Sequence, residues 1–132
     1  MILCMVQPLE LSAYVKALHD GRLVMQAMAR GAPLNIGPMV RLVVNGMDIV
    51  VASNRSQTFD LAPFEAVGID VLKYRYVALK SSNHFRAGFQ DIAGEIIAAD
   101  PPGLTTLQLE VFPRTKTDLA LWPVDSRADY SP

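Results

Sequence analysis

Apolar and polar positions alternate on both sides of Asn45-Gly46, a dipeptide suited to the two left-handed residues of a type I′ turn. The pattern predicts a hairpin of residues Met39 to Val44 and Met47 to Ala52. A two-residue loop pairs Val44 with Met47, Leu42 with Ile49 and Val40 with Val51. One face is then wholly apolar and expected to meet a core, while Arg41 and Asp48 approach diagonally on the other. A further hairpin is predicted around Asp20-Gly21, between Tyr14 to Leu18 and Leu23 to Met28. Gly31, Pro33, Asn35, Gly37 and Pro38 mark the loop between the hairpins.

Beyond Ala52 the pattern changes to alternating helix and strand. Asp60 is placed to cap a short helix with Pro63 in its first turn, Leu61, Phe64 and Val67 turned inward, and Gly68 as its stop. Tyr74 to Lys80 is rich in β-formers and reads as a strand. Phe85, Phe89 and Ile92 recur at helical spacing and predict one buried stripe on a helix from about Ser82 to Ala93. Glu95 to Ala99 reads as a last strand, closed by Asp100-Pro101-Pro102-Gly103. Right-handed crossovers make these last strands parallel to their neighbour. The expected fold is therefore a single α/β domain, a mixed sheet with an antiparallel hairpin half followed by β-α-β-α-β. It occupies residues 1–125, and the apolar-poor tail 126–132 is expected to fray.

Composition narrows the function classes. With 132 residues the chain has room for one core. Apolar residues make up 51% and charged residues 19%, rich enough to suggest apolar surface covered by another chain or domain. A net charge of -1, with scattered Lys and Arg, gives no basic field for nucleic acid. Cys4 is the only cysteine, so there is no internal disulfide and no thiolate cluster, and the cytoplasm is the default location. The apolar start Met1 to Val6 lacks a basic leader and is too short to span a membrane, so it reads as a strand or as the cut end of a longer chain.

Three polar clusters could carry chemistry. The first, Lys80-Ser81-Ser82-Asn83-His84-Phe85-Arg86, joins the predicted strand to the predicted helix. Ligands of open α/β sheets bind outside strand carboxyl ends, and a helix N-terminus offers N–H groups to an anion. Helix capping alone accounts for one of the two serines, and a plain surface histidine accounts for His84 as well as a functional one does. The second cluster, Ser53-Asn54-Arg55-Ser56-Gln57, follows the strand Met47 to Ala52. If that strand lies parallel to Tyr74 to Leu79, Arg55 approaches Lys80 and His84, and the donors converge on an anion. An ordinary polar loop is the competing reading. The third, His19-Asp20-Gly21-Arg22, is accounted for by turn chemistry. No set of three metal ligands converges in the pattern, and no nucleophile elbow, phosphate loop or dinucleotide fingerprint is present.

The runs LKSSNHFRAGF, VVASNRSQTFDLAPFEAVGID and IIAADPPGLTT together resemble the C-terminal domain of the microcystinase C (MlrC) family of zinc metallopeptidases. The match rests on Lys80, Ser81, His84, Phe85 and Arg86, on Arg55 with Gln57, on Gly68-Ile69-Asp70 and on the Asp100 to Gly103 turn. It spans about Leu9 to Asp125 and departs at Thr117 to Leu121, where the family carries basic residues. The resemblance implies an accessory domain of a longer amide hydrolase whose zinc is held by an N-terminal domain, with no cofactor in this chain. It implies a peptide or amide substrate, bound with the help of Lys80, Ser81, His84, Arg86 and Arg55, and the N-terminal metallopeptidase domain as partner. The alternatives are a stand-alone small-anion-binding module and a structural domain that forms a homo-oligomer through its apolar hairpin face.

Overall fold

A computed structural model describes residues 9–100 together with 106, 108, 120, 122, 125 and 128. The apolar run at 1–6, the turn residues 101–103 and all of the tail 126–132 except residue 128 lie outside the described residues. Pro8–Ala98 form one compact unit, and it is this unit that carries the elements below.

Five strands come first: β1 (Tyr14–His19), β2 (Arg22–Val24), β3 (Pro33–Asn35), β4 (Met39–Val44) and β5 (Met47–Ala52). Two short helices follow, α1 (Ala62–Glu65) and α2 (Arg86–Phe89), with a 3-10 turn at Val71–Lys73 between them. The strands form a three-stranded sheet in the order β1-β4-β5 and a two-stranded sheet of β2 and β3, all antiparallel. The described unit is mostly sheet with few helices.

The Asn45-Gly46 hairpin forms in the predicted register, Val44 opposite Met47, Leu42 opposite Ile49 and Val40 opposite Val51. Asn45 (φ 47°) and Gly46 (φ 80°) both take the left-handed conformation that a type I′ turn requires. Which face meets the core is a correction. Met39, Val50 and Ala17 pack on the core, whereas the all-apolar face of Val40, Leu42, Ile49 and Val51 points the other way. Arg41 and Asp48 sit on the core side, at its margin, where their ion pair takes the place of further apolar contact.

The Asp20-Gly21 hairpin is a second correction, because β1 pairs with β4 and β2 with β3. The turn is closed by side chains rather than by a ladder. His19 Nδ1 accepts from the Gly21 N–H at 3.0 Å, and Asp20 Oδ1 accepts from the Arg22 N–H at 3.0 Å. Gly21 then passes so close to Gly37 that a Cβ there would stand 1.9 Å from the Gly37 carbonyl oxygen. That crossing sends β2 into the second sheet.

Helix α1 matches its sequence signals. Pro63 lies in the first turn, Leu61 and Phe64 pack against the core, Val67 is buried, and Gly68 (φ 73°) ends the helix. The Gly68 N–H bonds to the Glu65 carbonyl and the Ile69 N–H to the Phe64 carbonyl, both at 2.9 Å. Asp60 caps it from one residue further out than a standard N-cap, its Oδ1 accepting from the Ala62 N–H at 2.9 Å. The same carboxylate reaches across the fold. Its Oδ2 accepts from the N–H groups of Gln26 (2.7 Å) and Ala27 (2.8 Å), which follow β2. Asp60 is 1% exposed, so its charge is held by backbone donors in place of water.

The β-α-β-α-β half is not formed among the described residues. Tyr74 to Lys80 runs outside helix and strand, without a ladder partner, and Glu95 to Ala99 also carries no strand. Tyr74 and Leu79 turn toward the core while Tyr76 is 75% exposed, so side chains fasten this stretch where no strand ladder does. The helix expected over Ser82 to Ala93 contracts to α2 with turns on either side. Phe85 and Phe89 keep their inward roles, and Phe89 meets Phe64 edge-to-face with ring centroids 5.9 Å apart. Ile92, at the end of the contracted helix, is 41% exposed and leaves the stripe.

Asp60→Ala would leave three N–H groups without their acceptor, at a cost of about 1–3 kcal/mol for each buried group that stays unsatisfied. The expected result is a loss of about 3 kcal/mol or more in urea unfolding, and a change near zero would contradict this account.

Candidate functional site

The loop after β5 is held in place before it offers any side chain to solvent. The Ser53 N–H bonds to the Pro38 carbonyl (3.1 Å) and the Asn54 N–H to the Ile36 carbonyl (2.9 Å). Gly37 permits the approach, since a Cβ there would stand 2.5 Å from Ser53 Oγ. The chain then runs through Arg55, Ser56 and Gln57 to the buried Asp60. On the other side, α2 is pressed against the same region. A Cβ on Gly88 would lie 3.0 Å from the Phe59 carbonyl oxygen and 3.2 Å from the Asp60 Cα, so α2 packs backbone to backbone on the segment that carries Asp60.

These two anchored segments bring the first and second polar clusters together. His84 Nδ1 hydrogen-bonds Gln57 Oε1 across 27 residues of sequence. With Oε1 accepting, Nδ1 carries the hydrogen and Nε2 is the atom left for a ligand, since no described residue bonds to it. Both side chains are exposed. Lys80 joins them indirectly: it lines, with Gln57, a groove of about 760 Å³ whose walls include Val50 of β5 and the extended stretch from Tyr74. No acidic side chain among the described residues pairs with Lys80.

The other predicted residues are placed differently. Arg86 lies with its guanidinium 5.4 Å from the centroid of the Phe85 ring, a cation–π contact at the protein surface. Arg55 is exposed and does not line the groove. Ser81 does not cap α2, whose N-cap is Phe85 with no side-chain bond; its Oγ is buried with no partner among the described residues. Because α2 has four residues, the expected anion site at a long helix N-terminus has little dipole to draw on. The convergence therefore comes from the His84–Gln57 bond and not from two parallel strands. Gln57, a neutral side chain between two turn-formers, carried little signal beside Arg55. Its signal was its spacing from Asp60, which holds the loop down.

The described residues contain no group of three His, Cys, Asp or Glu side chains able to hold a metal ion, so they do not fit a zinc site. No described helix is long and apolar enough to cross a membrane.

At the far end of the groove a second cluster is structural. Arg41 Nε donates to Asp48 Oδ1 at 2.5 Å, and the Tyr74 hydroxyl donates to Asp48 Oδ2 at 2.5 Å. Arg41 also donates to the Gly68 carbonyl at 2.9 Å, tying the hairpin to the end of α1. The Arg41 bond, then the Tyr74 bond, hold the Asp48 carboxyl below its ordinary range, and the bond to Asp48, with burial second, holds the Tyr74 phenol above its own.

The family to which these features belong is shown by comparison. The model of the MlrC C-terminus matches residues 5–116, and the chain belongs to that family. It is 29% identical over 96 residues to Microcystinase C of Sphingomonas sp, covering 73% of this chain and 18% of that protein. It is also similar to the crystal structure of a candidate metallopeptidase from Mesorhizobium sp. BNC1, with a TM-score of 0.78 and 28% identity over 96% of this chain and 25% of that one. The chain thus spans a quarter or less of the length of these two relatives.

The lowered Asp48 carboxyl contributes stability that is present above the ordinary carboxylate value and lost as pH falls through its depressed value. Asp48→Asn is therefore expected to show a shallower loss of thermal midpoint on acidification than the native chain. A curve merely displaced downward at every pH would contradict the assignment. At the alkaline end the sign reverses: the raised Tyr74 phenol contributes stability below its ordinary value that is lost as pH rises through the raised one. Tyr74→Phe should lose less stability above pH ~10 than the native chain, as read by the same melts.

Proposed function

We propose that this chain acts as an accessory C-terminal domain of a zinc-dependent peptide or amide hydrolase of the microcystinase C kind. It contributes one polar wall of a substrate cleft. The carrying observation is the His84–Gln57 bond, which joins two polar stretches far apart in sequence beside a groove that Lys80 also lines. Zinc would be held by residues of the longer enzyme outside this chain and would supply Lewis-acid activation of the amide. The wall itself binds and orients. Lys80 offers a cation to a substrate carboxylate, while His84 presents Nε2 to a polar group of the substrate with its ring fixed by Gln57. Arg55 and Arg86, exposed on the flanking loop and on α2, supply further positive charge around the cleft, and Ser81 lies between Lys80 and the His84 turn.

The small-anion module reading loses its main support with the shortness of α2. The accessory reading has two tests. First, the purified chain is expected to hold well under one equivalent of zinc by elemental analysis and to hydrolyse no peptide; one tightly bound equivalent would overturn it. Second, His84→Ala or Lys80→Ala in the full-length enzyme is expected to lower kcat/KM by about 10²-fold. Unchanged kcat/KM in both would overturn the role given to this wall.

A further inference from the structure

The three-stranded sheet carries apolar residues on both faces, interrupted on the inner one by His19 and the Arg41–Asp48 pair. Its inner face sends Ala17, Met39 and Val50 to the core. On its outer face the cross-strand pairs bring together Val15 with Leu42, Leu18 with Val40, and Val40 with Val51, followed by Leu42 with Ile49. Every position of that face is apolar, so its burial strands no polar side chain. Leu18 is 76% exposed, Val15 51% and Val51 46%. An antiparallel sheet with one face in water normally sets polar residues there, so a contiguous apolar outer face of this kind marks an interaction site.

We propose that the outer face of β1-β4-β5 is the seat for the globular part that precedes the matched region in family-length proteins. This rests on the accessory-domain reading and names the surface that reading requires. Two observations choose the occupant. The matched region is a C-terminus and covers 18% and 25% of the two relatives, so most of such a chain lies before it. The first strand, β1, is also an edge strand of this sheet, so the chain enters the sheet at the rim of its apolar face. The polar wall at Lys80 and His84 belongs to segments outside this sheet, and the groove beside it shares Ile49 with the outer face.

The test has two arms. In the crystal structure of the Mesorhizobium protein, the positions matching Val15, Leu18, Val40 and Val51 are expected to lose most of their exposure when the other three quarters of that chain are included. Equal exposure with and without that part would overturn the proposal. The accessory reading would survive that outcome if the positions matching Lys80 and His84 faced the remainder, and would fail with it if they did not. In the second arm, the purified 132-residue chain is sedimented over a wide concentration range beside Leu18→Lys. Monomers of both, with equal thermal midpoints, are expected. A dimer that Leu18→Lys dissolves would assign the face to a second copy and overturn the proposal.

Discussion

One buried carboxylate ties the described unit together. Asp60 accepts N–H groups from two places at once, from Ala62 at the start of α1 and from Gln26 and Ala27 after β2. The carboxylate that accepts them is almost wholly buried, where the loss of an acceptor costs most. The two-stranded sheet, α1 and the loop from β5 therefore share one anchor. Glycine makes this packing tight: Gly88 lets α2 lie against the Phe59–Asp60 backbone, and Gly21 and Gly37 let two loops cross where no side chain fits.

The polar wall is a consequence of that anchoring. Gln57 lies three residues before Asp60, and His84 two residues before α2, the helix that packs on Asp60. Neither side chain is buried, so their meeting depends on backbones fixed elsewhere. The Arg41–Asp48–Tyr74 cluster does the same work at the other end of the groove, fastening the hairpin to the end of α1 and to the extended stretch. Such bonds hold an extended segment in place without a strand ladder, and the groove lies between that segment and β5.

What the sequence made legible follows from the range of each interaction. The Asn45-Gly46 hairpin and its register, and the Pro63 and Gly68 limits of α1, are set by neighbours in sequence and were read correctly. The family resemblance was also legible, since it rests on order and spacing along the whole chain. Which face of the hairpin meets the core was not, because both faces are apolar apart from Arg41 and Asp48, and that pair sits on the core side. The Asp20-Gly21 hairpin failed because the Gly21–Gly37 crossing is a contact 16 residues apart that no local signal announces. Tyr74 to Lys80 has the composition of a strand, yet pairing also needs a partner edge within reach. At the site, the Gln57–His84 bond joins residues 27 apart, and no local signal announces it.

The claim on which the rest turns is that Gln57 and His84 are held together by the fold. The imidazole 15N shifts of the two histidines, His84 and His19, measured in the native chain and in Gln57→Ala, address it directly. The His84 resonances are expected to move on loss of the partner at Nδ1, with those of His19, bonded to Gly21, unchanged. His84 shifts that stay the same in the two chains would contradict the account.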